Sequence, residues 1–162
     1  MLKRQLKKHA LTPALLLILL GVSSYSSLSD DRDTDIINEF ISKQAVQESG
    51  NEYRDARRVI AGDLNRDGTS DLAVLYTIEG QKGTNNYVQY LAVFIRVKGR
   101  LVYVAHTAVG GKFYRDVELR SIKDNVILLK TLNYEAKDAA CCPSKEGTAR
   151  YALVKRRLKE IR

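Results

Sequence analysis

The spacing of apolar residues changes once along this chain, and that change limits the folds open to it. Between Asp33 and Gly50 apolar residues recur every three or four positions, which is the period of one helix face. From Arg58 onward they alternate or come in short runs separated by turn residues, which is typical of strands. The sequence therefore predicts an α+β fold, with an N-terminal helix packed on an antiparallel meander sheet of about six strands.

The strand-type runs also predict how the sheet is arranged. They cover residues 59–61, 72–78, 87–97, 101–109, 117–122, 126–132 and 148–158. Both faces of the run 87–97 are apolar, so we expect a central strand that is covered on both sides. Lys98-Gly99 and the segment 123–125 are short enough to form hairpin turns.

Residues 1–29 have the layout of a secretory signal peptide. A basic start is followed by an apolar stretch containing Pro13 and then by small polar residues. The apolar stretch is shorter than the roughly 20 residues that a membrane-spanning helix needs. We expect a periplasmic or secreted protein that meets the membrane only through this segment, followed by a single β-rich domain over residues 30–162.

The charge of the chain argues against nucleic acid as a partner. The formal net charge is +8, but four of the 27 Lys and Arg residues lie in the first nine positions. Without them, 23 basic residues face 19 acidic ones, which is too even a balance for the dense basic stripe that phosphate binding requires. A basic run does close the chain, and we interpret it as a solvated strand face or as a surface for an acidic partner. It comprises Lys155, Arg156, Arg157, Lys159 and Arg162.

The segment 61–72 contains the pattern with the clearest chemistry. Oxygen-bearing side chains stand at its loop positions 1, 3, 5 and 9, and Gly68 stands at position 6, where a tight loop favours positive φ. Ca²⁺ takes six to eight oxygen ligands, and three neighbouring carboxylates repel one another unless a cation lies between them. The predicted ligands are Asp63, Asn65, Asp67, the carbonyl of Thr69, and Asp71. The alternative is a hydrated turn without metal, because Asp, Asn and Gly favour turns in any case.

This loop resembles the Asp-x-Asn-x-Asp-Gly-x-x-Asp calcium loop of FG-GAP, VCBS and integrin-type repeats. It differs from an EF-hand, because position 12 is Val74 instead of Glu and strand-type sequence surrounds it. The pattern occurs once, which excludes a propeller. Residues 57–154 also resemble a group of small exported bacterial β-rich proteins of uncharacterised function, through the segments 62–75, 87–97 and 138–144. That resemblance implies a fold and a location, and it supplies no catalytic residues.

Cys141 and Cys142 are the two cysteines of the chain, and they are adjacent. Neighbouring Cα atoms lie about 3.8 Å apart, below the usual disulfide range of about 4.4–6.8 Å. A vicinal disulfide, reduced thiols and links to a partner protein all remain open.

Catalytic patterns are absent from the sequence. His106 is the one histidine after residue 29, and its neighbours alternate as in a strand, which favours a structural role. We therefore expect a non-catalytic, exported, calcium-binding β-domain that binds a protein or another envelope partner. Two alternatives stay open: an envelope hydrolase or thiol redox enzyme that uses the Asp loop or the cysteine pair, and an inhibitor or immunity-type protein.

Overall fold

A computed structural model describes residues 31–162, which begin with helix α1 (Asp31–Gln47). Ile37 and Ile41 of this helix are buried against the sheet, as the three- and four-residue spacing predicts. The amide of Gly50 donates to the carbonyl of Ala45 and closes the helix end. The predicted helix is thus confirmed. The predicted signal peptide, residues 1–29, lies outside the described residues.

Nine strands follow the helix in one sheet, and all their pairings are antiparallel. From β3 to β9 each strand pairs with the next one along the chain, whereas β1 and β2 both pair with β3. The strands are β1 (Asn51–Glu52), β2 (Arg58–Gly62), β3 (Asp71–Glu79), β4 (Tyr87–Val97), β5 (Arg100–Gly111), β6 (Arg115–Lys123), β7 (Val126–Asn133), β8 (Lys145–Val154) and β9 (Arg157–Ile161).

The prediction of about six strands is wrong, because the sheet has nine. Strand β1 has two polar residues and no apolar one, so no hydrophobic pattern indicates it. The run 148–158 is two strands, and the turn between them is Lys155-Arg156, both at positive φ. That turn contains none of the Gly, Asn or Asp residues that usually indicate such a conformation.

Strand β4 is covered on both faces, as its sequence predicts. On one face, Leu91 and Val93 belong to a core that also includes residues of β6, β7 and β8. On the other face, Ala92 and Phe94 pack beneath α1. The molecule therefore has three layers: the helix, the front part of the sheet (β1–β5) and the back part (β6–β9).

A sharp corner between β5 and β6 brings the two parts of the sheet face to face. One residue pair, Gly111 with Arg115, joins these strands in the ladder. Beyond the corner, β2 contacts β6 and β5 contacts β9. Within residues 31–162, no helix is both long and apolar enough to cross a membrane.

Candidate functional site

The acidic loop joins β2 to β3 in an antiparallel hairpin. Ala61 pairs with Leu72, and Gly62 pairs with Asp71 at the mouth of the loop. The side chain of Leu64 is buried in the core between the two parts of the sheet, which anchors the loop to the fold. Gly68 has a φ of +79°, as its position in the pattern predicts.

Asp63 is the internal acceptor of this loop. Its Oδ1 accepts hydrogen bonds from the amides of Asn65 (3.2 Å) and Arg66 (2.7 Å), and its Oδ2 accepts one from the amide of Gly68 (3.0 Å). Three main-chain amides therefore point at one carboxylate, and the chain curls around it. The loop conformation depends on this aspartate.

Asn65 and Asp67 form the outer part of the loop, where both are exposed. The amide of Asp67 donates to Asn65 Oδ1 (3.0 Å), and the amide of Thr69 donates to Asp67 Oδ1 (2.7 Å). The side-chain amide of Asn65 also donates to Asp67 Oδ2 (2.8 Å). These bonds stabilise the charged carboxylate, so the pKa of Asp67 lies below its ordinary value, with the bond from Asn65 as the largest cause.

Asp71 is the one buried carboxylate of the loop and has no exposed surface. Its Oδ2 accepts a bond from the amide of Leu64 (2.9 Å), and its Oδ1 accepts one from the amide of Arg96 in β4 (2.8 Å). Burial raises the pKa of Asp71, and the negative charges of Asp67 and Asp63 raise it further, against the opposing effect of the two amide bonds. Ionised Asp71 is thus costly to the fold without a neighbouring positive charge.

The donor set of the loop suits a hard cation such as Ca²⁺. All five predicted ligands are oxygens, and every carboxylate oxygen except Asp63 Oδ1, which accepts two hydrogen bonds, keeps a lone pair. Within the described part of the chain, however, no three His, Cys, Asp or Glu side chains are grouped closely enough to hold a metal. Coordination would therefore require the acidic side chains of the loop to come closer together.

Asn125 is a residue of this site that the sequence pattern does not indicate. It lies 62 positions from Asp63, in the turn between β6 and β7, and its side-chain amide donates to the Asp63 carbonyl (2.8 Å). The side chain of Arg66 donates back to Asn125 Oδ1 (2.5 Å). The loop therefore fastens the front part of the sheet to the back part.

Cys141 and Cys142 form a vicinal disulfide in the segment between β7 and β8. Asp138 holds this segment together, because its carboxylate accepts bonds from the amides of Glu135 (2.8 Å) and Ser144 (2.9 Å) and from the Ser144 hydroxyl (2.8 Å). These bonds lower the pKa of Asp138, that from Glu135 most strongly. The hydrogen bonds of Asp138 therefore stabilise the conformation of this segment in addition to the disulfide.

The remaining predicted residues lie apart from the acidic loop. Lys155 and Arg156 form the exposed turn between β8 and β9, so the basic run begins in this turn and continues along β9. His106 lies beneath α1, where its Nδ1 is 2.7 Å from the Tyr103 hydroxyl and its ring contacts Phe40. Burial lowers the pKa of His106.

The chain matches no protein-family model, no curated protein and no solved structure. The resemblance to calcium loops and to small exported proteins therefore stays a prediction.

Proposed function

We propose that this chain is a non-catalytic, exported β-domain that binds Ca²⁺ in the loop 63–71 and a partner of the cell envelope through its sheet. The layout of residues 1–29 supports export. The observation that carries the calcium part is the buried Asp71 carboxylate, whose ionised form is disfavoured by burial and by the charges of Asp67 and Asp63. A dication beside these groups would offset both costs.

The ion would act on the fold through the contacts of its ligands. Asp63, Asn65, Asp67 and Asp71 would supply side-chain oxygens, and Thr69 its main-chain carbonyl. Because Asp71 accepts the amide of Arg96 and the Asp63 carbonyl accepts Asn125, a bound ion would stabilise β4 and the β6–β7 turn together with the loop. Its role in this proposal is to order a binding surface.

Thermal unfolding with and without calcium tests the proposal. We expect 10 mM Ca²⁺ to raise the melting temperature of the protein over its value in excess chelator, while Mg²⁺ at the same concentration has less effect. Sites in extracellular modules bind Ca²⁺ with dissociation constants of about 0.1–1 mM, so the expected gain is roughly 1.5–3 kcal/mol. Titration calorimetry gives the stoichiometry, which should be one ion per chain.

Asp67→Asn removes a charge but keeps an oxygen that accepts the Thr69 amide, so it should weaken calcium binding without unfolding the loop. Asp55→Asn, at an exposed aspartate outside the loop, is the matched control and should bind as the unmodified protein does. If the melting temperature is the same in calcium and in chelator and calorimetry detects no heat of binding, the calcium part of the proposal is refuted.

A further inference from the structure

A groove opens where the edge of the sheet is interrupted. Strand β1 pairs with β3 as far as Ile78, and β2 resumes the pairing only at Leu75. Between them the chain leaves the edge in a short 3₁₀ helix (Arg54–Ala56). The cavity beside this gap has a volume of about 480 Å³, which lies in the range of small-molecule sites.

The lining of the groove comes from three strands and one connecting segment. Strands β3, β4 and β6 supply most of it, and the segment after β1 supplies the rest. The polar and aromatic residues among these are Tyr53, Thr77, Glu79, Tyr87, Gln89 and Asp116.

The charge in the groove is negative. Glu79 and Asp116 both line it, whereas no Lys or Arg does among the residues of 31–162. Glu79 is exposed and makes no ion pair within that range. This negative groove lies in a chain in which 23 basic residues face 19 acidic ones when residues 1–29 are set aside. A cation would therefore find in it a local field opposite to that of the whole protein.

Tyr87 orients the Asp116 side chain. Its hydroxyl donates to Asp116 Oδ1 at 2.5 Å. Burial raises the pKa of Tyr87 and so does this bond, so the phenol keeps its proton at neutral pH and Asp116 is the acceptor. The second carboxylate oxygen of Asp116 stays available to a ligand.

Thr77 is a mostly buried polar residue that lines the groove. Its side chain is 5% exposed, and its hydroxyl makes no hydrogen bond with any described residue. This hydroxyl is not among the wholly buried atoms without a partner, so it reaches the surface of the groove, where a ligand can bond to it. The adjacent Gln89 is already satisfied, because it donates to the Val117 carbonyl (3.2 Å) and accepts the Val117 amide (2.9 Å). The Gln89 side chain is therefore already held in place in the groove without a ligand.

We propose that this groove binds a small organic cation with an ammonium or guanidinium group. Glu79 and Asp116 would pair with the charge, the Thr77 hydroxyl would accept a hydrogen bond, and the half-exposed ring of Tyr53 would lie against the cation or its carbon chain. The site shares no residue with the acidic loop, so this proposal can be tested independently of the calcium proposal.

Agmatine is the probe for this site, since it has a guanidinium, an ammonium and no carboxylate. We expect saturable binding by calorimetry at low ionic strength, equal in excess chelator and in 10 mM Ca²⁺. The neutral 1,5-pentanediol should give no saturation. On labelled protein, agmatine should shift the amide resonances of Tyr53, Thr77 and Gln89 and leave that of Gly99, in the β4–β5 turn, in place.

Glu79→Gln and Asp116→Asn remove charge and keep shape, and each should weaken agmatine binding about tenfold. Glu118→Gln, two residues from Asp116 and paired with Arg120 at the surface, is the matched control and should bind as the unmodified protein does. Thr77→Val keeps the volume of the buried side chain and should also weaken binding. Absence of saturation overturns the proposal, and so does an affinity in Glu79→Gln and Asp116→Asn equal to that of the unmodified protein.

Discussion

At the scale of single residues, Asp71 connects the loop to the rest of the fold. Its two oxygens accept amides from the loop (Leu64) and from β4 (Arg96), so one side chain sets the distance between them. The spacing of oxygen residues predicts that Asp71 belongs to the loop. The burial of Asp71 and its hydrogen bond with Arg96 depend on the pairing of β3 with β4, which brings together residues 25 positions apart. The spacing of residues within the loop does not predict that contact.

Asp71→Asn should destabilise the protein by about 2 kcal/mol in chelator. The Asn side chain has one acceptor oxygen, whereas Asp71 uses two. The main-chain N–H of either Leu64 or Arg96 would therefore be buried without a hydrogen-bond partner. Urea unfolding measures the loss, and Asp55→Asn at an exposed position should change stability little. A loss equal to that of the control would contradict the role assigned to Asp71.

The difference in stability between the unmodified protein and Asp71→Asn should depend on pH in a known direction. Because the pKa of Asp71 is raised in the fold, the stability it contributes is present below its ordinary value of 3.8 and is lost as the pH rises through the raised pKa. Asn does not titrate, so in chelator the gap between the unmodified protein and Asp71→Asn should narrow from pH 4 upward. Calcium, if it binds, should prevent this narrowing. A gap that widens instead would mean that the pKa of Asp71 is lowered.

At the scale of elements, Arg115 connects four strands. Its guanidinium donates to the carbonyl of Val109 in β5, the hydroxyl of Tyr151 in β8 and both carboxylate oxygens of Glu160 in β9. Arg115 itself begins β6 beside the corner of the sheet. An arginine at a strand start gives no sign in the sequence of being buried, so this junction was not predictable.

Arg115→Met should destabilise the fold by roughly 2 kcal/mol. The loss is smaller than the 3–5 kcal/mol typical of breaking a fully buried pair, because the Glu160 side chain is 44% exposed and water can solvate it. Chemical denaturation measures it. Arg120→Met, which breaks the exposed pair with Glu118, serves as the control and should cost far less.

The same junction should make the protein sensitive to acid. The Arg115 hydrogen bond is the largest cause of the lowered pKa of Glu160, so the stability that Glu160 contributes is present above its ordinary value of 4.5. That stability is lost as the pH falls through the lowered pKa. Glu160→Gln should therefore lose less stability than the unmodified protein below about pH 4.5.

At the scale of the whole molecule, a long meander becomes a layered fold because the sheet turns a corner at β5–β6. Period and turn residues predict the helix and the antiparallel strands, since both depend on neighbours in sequence. The corner is different, because it depends on close backbone contact at Gly110 and Gly111. A Cβ on Gly110 would lie 2.7 Å from the Arg115 carbonyl, and nothing local in the sequence reports that contact.

Gly111→Ala tests whether the corner holds the two parts of the sheet as one unit. Gly111 has a φ of +145°, which side chains rarely adopt, and a Cβ there would lie 2.7 Å from the Tyr87 carbonyl. Strain of this kind costs of order 1–3 kcal/mol, and the clash adds to it. Because both parts share one core, tyrosine fluorescence and far-ultraviolet circular dichroism should report one coincident unfolding transition, shifted to lower urea.

Gly99→Ala is the matched control for the corner, since Gly99 also has positive φ (+79°) but a Cβ there would meet no atom within 4 Å. It carries the conformational cost of about 1 kcal/mol without the clash. The difference between the two variants therefore isolates the close approach of Gly111 to Tyr87 of β4, beside the corner. Equal losses would mean that the corner tolerates a side chain, and separate transitions for the two probes would mean that β1–β5 and β6–β9 unfold independently.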